Sequence, residues 1–138
     1  MIDARFSCKF YDVQTDYVAA KKQKPLQPKQ RYFLNLGYVG NQLRADATYH
    51  YTGPQRIPVT IQHPNGFESG AFGLINAQIT YIPKPNFEIY TGGENLTNYK
   101  QSQPILSADQ PFSSSFDSSL VYAPVYGRML YVGLRYNL

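Results

Sequence analysis

The 138-residue sequence has no tryptophan, one cysteine and only two histidines. A lone Cys8 excludes an intramolecular disulfide. His50 and His63 stand apart from it and from each other, so there is no Cys/His cluster for zinc. Long apolar runs are also missing. No stretch approaches the roughly 18 consecutive apolar residues of a membrane-crossing helix, which excludes a helical membrane protein. The N-terminus lacks the charged and then apolar regions of a signal peptide. The expectation is either a cytoplasmic protein or a fragment whose true N-terminus lies upstream. Gly92-Gly93 is followed by no Lys-Ser/Thr pair, which excludes a phosphate loop. No catalytic constellation and no cofactor motif is present, so an enzyme has no support. The net charge of +4 comes largely from Lys21, Lys22, Lys24 and Lys29, in a Pro- and Gln-rich stretch. That run lacks the interleaved aromatics of a nucleic-acid surface and reads as a solvated loop.

What the chain does have is tyrosine (13 copies), phenylalanine (8), glycine (10) and proline (10). Aromatic and β-branched residues favour strands, and Gly and Pro punctuate them. Side chains alternate between the faces of a strand, and six segments alternate apolar against polar. In residues 4–12, Ala4, Phe6, Cys8 and Phe10 oppose Arg5, Ser7, Lys9 and Tyr11. In 32–39, Tyr32, Leu34, Leu36 and Tyr38 oppose Phe33, Asn35 and Gly37. In 43–51, Leu43, Ala45, Ala47, Tyr49 and Tyr51 oppose Arg44, Asp46, Thr48 and His50. In 73–82, Ile75, Ala77, Ile79 and Tyr81 oppose Asn76, Gln78 and Thr80. Phe87, Ile89 and Thr91 then oppose Glu88, Tyr90 and Gly92. In the last segment Leu130, Val132, Leu134, Tyr136 and Leu138 oppose Met129, Tyr131, Gly133, Arg135 and Asn137.

The expected fold is all-β: about six antiparallel meander strands forming an open, curved sheet. Turns at 40–42 and 83–86 are short. The stretches 13–31, 52–72 and 96–128 are long and polar, the second with a short extended piece at Val59–Gln62. Strands of about 9–11 residues with short turns on one rim and long loops on the other fit a transmembrane barrel. Tyr32, Tyr38, Tyr49, Tyr51, Tyr81, Tyr122 and Tyr136 lie where an interfacial aromatic girdle is expected. Six strands are too few for a lipid-embedded barrel, whose smallest bacterial form has about 8, so residues 1–138 read as part of a larger one. With the last strand ending at the periplasmic rim, the long loops are extracellular.

Four stretches carry a resemblance. They are Tyr51-Thr52-Gly53-Pro54-Gln55-Arg56-Ile57-Pro58, Gly92-Gly93-Glu94-Asn95-Leu96-Thr97-Asn98-Tyr99, Gln103-Pro104-Ile105, and Tyr122-Ala123-Pro124-Val125-Tyr126-Gly127-Arg128. The last leads into Leu130-Tyr131-Val132-Gly133-Leu134-Arg135-Tyr136. In order and spacing the chain resembles the C-terminal end of TonB-dependent outer-membrane receptors, particularly those of Bacteroidetes-type bacteria. It departs in ending on Leu138 instead of an aromatic, and it contains neither the plug domain nor the energy-coupling box. The resemblance implies a barrel of roughly 22 strands, of which residues 1–138 supply the last six. It implies TonB-energised uptake of a scarce nutrient (iron chelate, haem, cobalamin or glycan) across the bacterial outer membrane. The implied partners are outer-membrane lipid, the plug and remaining strands, the TonB complex through the missing N-terminal part, and the barrel-assembly machinery through the last strand.

Arg5, Lys9, Arg44, Asp46, His50, Asn76, Gln78, Glu88, Glu94 and Arg135 fall on the polar faces. Mixed charges and amides suit a hydrated lumen or a wall that holds a plug, and do not suit a dry core. Phe112, Phe116 and Tyr122 in the last long loop are candidate ligand contacts, or pack the loop against its neighbours. Asp109 and Asp117 sit among serines, but their spacing matches no calcium loop. His50 reads as a polar-face residue and His63 as a loop residue. Two other classes compete: a small soluble β-sandwich binding module, whose apolar faces pack on each other, and a porin-like diffusion channel, which lacks a plug.

Overall fold

The computed structural model describes residues 1–10, 14–17, 20–59, 67–118 and 120–137. In chain order the strands are β1 (Ile2–Phe10), β2 (Gln14–Tyr17), β3 (Ala20–Gln23), β4 (Gln30–Val39), β5 (Leu43–Thr52), β6 (Arg56–Ile57), β7 (Phe67–Glu68), β8 (Phe72–Lys84), β9 (Phe87–Glu94) and β10 (Met129–Tyr136). Six of them form one antiparallel sheet in the order β1-β4-β5-β8-β9-β10. This is a meander in which each long strand pairs with the next one in the chain. β1 and β10 lie at opposite edges and are not paired with each other.

Register aligns the alternation of every strand, because residues directly opposite in a ladder share a face. Phe6 faces Leu34, Leu34 faces Tyr49, and Tyr49 faces Ile75. Ala45 faces Ile79, Ile79 faces Thr91, and Thr91 faces Val132. Between the ends of the strands no charged side chain falls on this face; Lys84, opposite Phe87 beyond the register irregularity at the end of β8, is the exception among the described strands. The opposite face collects Arg5, Asn35, Thr48 and Asn76 in one row, and Arg44, Thr80, Tyr90 and Gly133 in another. A slip of one residue anywhere would exchange the two faces.

Among the described residues no second layer covers either face. Phe6 is 69% exposed, and Leu130 and Val132 are 73% and 76% exposed. Extensive contacts between strands run only between hydrogen-bonded neighbours. A sandwich would bury these apolar residues between two layers; the single layer excludes it. The apolar core lies instead beyond the strand ends, where Ile57, Leu106 and Leu120 are buried together with Tyr122 packed on them.

The expected strands are observed with shifted ends. The first begins at Ile2 and is described as far as Phe10, with Tyr11 and residue 12 of the expected strand outside the described residues, and the fourth extends from Phe72 to Lys84. Pro83 has no N–H to donate, and the β8–β9 register is irregular between Tyr81 and Lys84. Two stretches expected to be plain loops carry further pairing. Within 13–31, β2 pairs with β3, with Gln14 opposite Gln23. Within 52–72, β6 pairs with β7, with Arg56 opposite Glu68. Tyr122, expected at a strand end, belongs to the loop core instead, because the chain around it is held by the side chain of Gln101. Residues 60–62 of the expected extended piece, His63, Ser119 and Leu138 lie outside the described residues.

The outer edges of β1 and β10 face no strand of the sheet. Amide hydrogen exchange of the folded chain is expected to be slow throughout β5 and β8 and fast for the outward-pointing amides of β1 and β10. Equal protection at those two edges would mean that the sheet closes on itself.

Candidate functional site on the polar face

The polar face is built around Glu88. It stands directly opposite Arg135 in the β9–β10 ladder, and its Oε2 accepts from the Arg135 guanidinium at 2.8 Å. Its Oε1 lies 3.6 Å from Arg44 Nη1, which reaches across from β5. Two guanidiniums therefore bracket one carboxylate, and Glu88 is left only 8% exposed on an otherwise open surface. Arg135 also lies over the Tyr90 ring, 5.7 Å from its centroid. Both arginines remain more than half exposed, so each pair is screened by water and salt.

Hydrogen bonds extend the network. Tyr131 Oη donates to Gln78 Oε1 at 3.0 Å, and Gln78 Nε2 donates to Thr80 Oγ1 at 3.2 Å. Tyr131 can lie flat here because Gly92 is its cross-strand partner; a Cβ on Gly92 would come within 2.5 Å of the Tyr131 hydroxyl. Asn35 Nδ2 donates to Asp46 Oδ2 at 2.7 Å and to Thr48 Oγ1 at 3.0 Å. Arg44, Asp46, Gln78, Glu88 and Arg135 thus line one groove of about 270 Å³. The other residues assigned from sequence lie apart from it. Arg5 pairs with Asp3 on its own strand at 3.1 Å. Lys9 and His50 line a second hollow of about 410 Å³ near the long-loop end of the sheet. Glu94 is exposed at the end of β9. Asn76 is engaged locally, its Oδ1 accepting from the backbone N–H of Asn95 at 2.9 Å. No group of three His, Cys, Asp or Glu able to hold a metal ion occurs among the described residues. The groove offers charge-bracketing and hydrogen bonding to a solute or a protein surface.

The segment Glu94-Asn95-Leu96-Thr97-Asn98 proves to be a structural joint. Asn95 adopts φ 49° and Asn98 φ 55°, left-handed conformations that Asn tolerates better than most residues. Asn95 is buried, and its Nδ2 donates to the carbonyls of Tyr99 (2.7 Å) and Tyr126 (3.1 Å). Its Oδ1 accepts from the Tyr99 N–H and the Thr97 hydroxyl. Asn98 Oδ1 accepts from the Arg128 N–H at 3.0 Å. A Cβ on Gly127 would stand 2.5 Å from that same oxygen, so the Gly-Arg pair fits where a bulkier residue would not. The start and the end of the last long loop are thereby fastened together at the top of β9 and β10.

Gln101 and Gln55 do similar work with no sequence signal beyond being polar in a loop. Gln101 Nε2 donates to the Leu120 carbonyl, and its Oε1 accepts from the N–H groups of Tyr122 and Ala123. Gln55 Nε2 donates to the Tyr122 carbonyl, tying the second long loop to the third. Arg56 Nη1 donates to the Gln23 carbonyl, tying the second to the first. Of the three loop aromatics, Phe112 is fully exposed and Phe116 is 37% exposed. Tyr122 packs on the loop core, and burial, with a smaller contribution from Tyr99, raises its phenol pKa above the ordinary value.

Replacing Asn95 with alanine removes four part-buried side-chain hydrogen bonds, three of them to backbone groups. Asn95→Ala is expected to cost about 2–4 kcal/mol and to open residues 99–128 to limited proteolysis. Glu88→Gln is expected to cost about 1 kcal/mol, as befits half-exposed pairs, with the loops left closed. The two variants distinguish a loop joint from a wall contact by their cleavage patterns.

No protein-family model matches this sequence, and no curated protein matches it. Solved structures do. A mutant of the ferric enterobactin receptor from Pseudomonas aeruginosa, in complex with enterobactin, superposes with a TM-score of 0.62 at 13% identity over 98% of this chain. The same receptor in complex with BCV-L6 gives 0.59 at 14% identity, again over 98%. A third structure of it gives 0.53 at 17% identity over 80%. The chain spans 20% of the first of these receptors. The likeness shows the fold: the open six-stranded sheet with its long loops has the backbone course of one portion of such a receptor's β-barrel.

Proposed function

We propose that residues 1–138 are the C-terminal portion of the β-barrel of a TonB-dependent receptor in the bacterial outer membrane. The observation that carries this reading is the single-layer sheet whose one face bears no charge except Lys84 at the short-turn rim and whose other face bears an ordered polar network. A one-layer sheet has no core of its own, so its apolar face requires an apolar solvent. Lipid supplies that solvent, and a barrel supplies partners for the two open edges. The polar face then lines the lumen. There Arg44, Asp46, Gln78, Glu88 and Arg135 contact the plug or the passing solute. The packed long loops, with Phe112 at their surface, lie outside the cell, where Phe112 and Phe116 meet a ligand and Tyr122 supports them.

Likeness to a siderophore receptor supports uptake of a scarce nutrient. Iron chelates, haem, cobalamin and glycans remain the candidate classes, and the motifs of the last 50 or so residues favour a receptor of Bacteroidetes type. The remaining strands and the plug, on this reading, belong to the same polypeptide upstream. The TonB complex acts through that upstream part, and the barrel-assembly machinery acts through β10.

The chain refolded with outer-membrane lipid is expected to co-float with vesicles. Val132→Arg, which places a charge on the apolar face, is expected to weaken insertion by about 2–4 kcal/mol. Met129→Arg, on the polar face beside Glu94, is expected to leave it unchanged. A cooperative, monomeric fold in water that ignores vesicles would overturn the proposal.

A further inference from the structure

The polar face is electrically uneven. Toward the short turns its arginines have acids: Arg5 has Asp3, and Arg44 and Arg135 share Glu88. Toward the long loops, Lys9 and Arg31 stand directly opposite each other in the β1–β4 ladder. Among the described residues neither side chain has an ion pair or hydrogen bond. Like charges directly opposite in a sheet destabilise it, and no nearby side chain in the described structure relieves the repulsion.

Those two cations line the hollow of about 410 Å³ together with Ser7, Phe33, His50 and Thr52. The register makes it a compact patch two rows deep: Ser7, Phe33 and His50 in one, Lys9, Arg31 and Thr52 in the next. The hydroxyls of Ser7 and Thr52 supply neutral donors. Phe33 and His50 meet edge to face at 4.9 Å and form a ring-lined wall beside the charges. Paired cations, hydroxyl donors and an aromatic wall are the elements of a site for an organic anion.

We propose that this hollow binds a small organic solute carrying two or more carboxylate or phosphate groups, held by Lys9 and Arg31 with its body against Phe33 and His50. The inference deepens the barrel-wall reading by naming the chemistry of a solute, and it rests on that reading for access from the lumen. The two cations stand opposite each other, about 5 Å apart at Cβ by ladder geometry, so two anionic groups on one solute can neutralise both.

Isothermal titration of the refolded chain in neutral detergent micelles tests it, with citrate, inorganic phosphate and glucose as probes. Citrate is expected to bind saturably, phosphate more weakly and glucose not at all, with affinity falling as salt rises. Lys9→Gln and Arg31→Gln are each expected to weaken citrate about tenfold, and the double variant about a hundredfold. Lys29→Gln, whose lysine pairs with Glu68 in the loops, is expected to bind as before. Thermal melting gives a second readout. Citrate is expected to stabilise the wild type and not the double variant, and the double variant without citrate is expected to melt no lower than the wild type. Equal citrate affinity in the wild type and the double variant, or none in either, would overturn the anion site. A chain that enters micelles but ignores citrate sinks this inference alone. A chain that folds as a monomer in water and binds citrate through these two residues sinks the barrel-wall reading alone.

Discussion

A sheet one layer thick cannot bury its own apolar face, and everything else in this protein follows from that constraint. The ladders satisfy the interior backbone groups of the sheet but leave the outward edges of β1 and β10 open. Register gathers Phe6, Leu34, Tyr49, Ile75 and their neighbours onto one face with no second layer to receive them. Burial of that surface, about 25 cal/mol per Å², is a stabilisation the chain obtains only from a medium or partner outside itself. On the proposed reading lipid is that medium, with Lys84 at the short-turn rim the one charge on the face among the described strands.

The loops solve the opposite problem. They leave the sheet and must satisfy their own backbone groups without a ladder. They do so with glutamine and asparagine side chains used as substitute backbone: Gln101 for 120–123, Gln55 for Tyr122, Asn95 and Asn98 for 99 and 126–128. A small apolar cluster around Ile57, Leu106 and Leu120 then locks the second and third loops together. Stability in this chain is therefore divided. The strands depend on their surroundings, whereas the loops carry a core of their own.

The strands were legible in the sequence because alternation at period two is set by the backbone and survives any tertiary context. Leu130, Val132, Leu134 and Tyr136 announce their face without help, and so do Arg44, Asp46 and His50. The β4–β5 and β8–β9 pairings were legible because short turns at 40–42 and 83–86 permit only hairpins, whereas the three pairings across the long loops follow only from reading the chain as a meander. The content of the loops was not. β2, β3, β6 and β7 lie in polar, Pro-containing stretches with no alternation to reveal them, and Gln101 looks like any loop glutamine. Tyr122 reads from sequence both as a girdle residue and as a residue that packs the last long loop, and only its neighbours decide for the loop. The bracketing of Glu88 by Arg44 and Arg135 also escaped the sequence, since 47 residues separate Glu88 from Arg135 and only register brings them together. The unevenness of charge across the polar face is likewise a property of pairing.

The most direct measurement of the central claim is a quenching scan along β10. Single cysteines are placed in turn at residues 129–136, with Cys8 replaced by serine, labelled with a fluorophore, and the chain is reconstituted in lipid vesicles. Quenchers carried on lipid acyl chains should dim the labels at 130, 132, 134 and 136, and a water-soluble quencher should dim those at 129, 131, 133 and 135. Quenching by water at every position, or with no alternation, would contradict a barrel wall with one face in lipid.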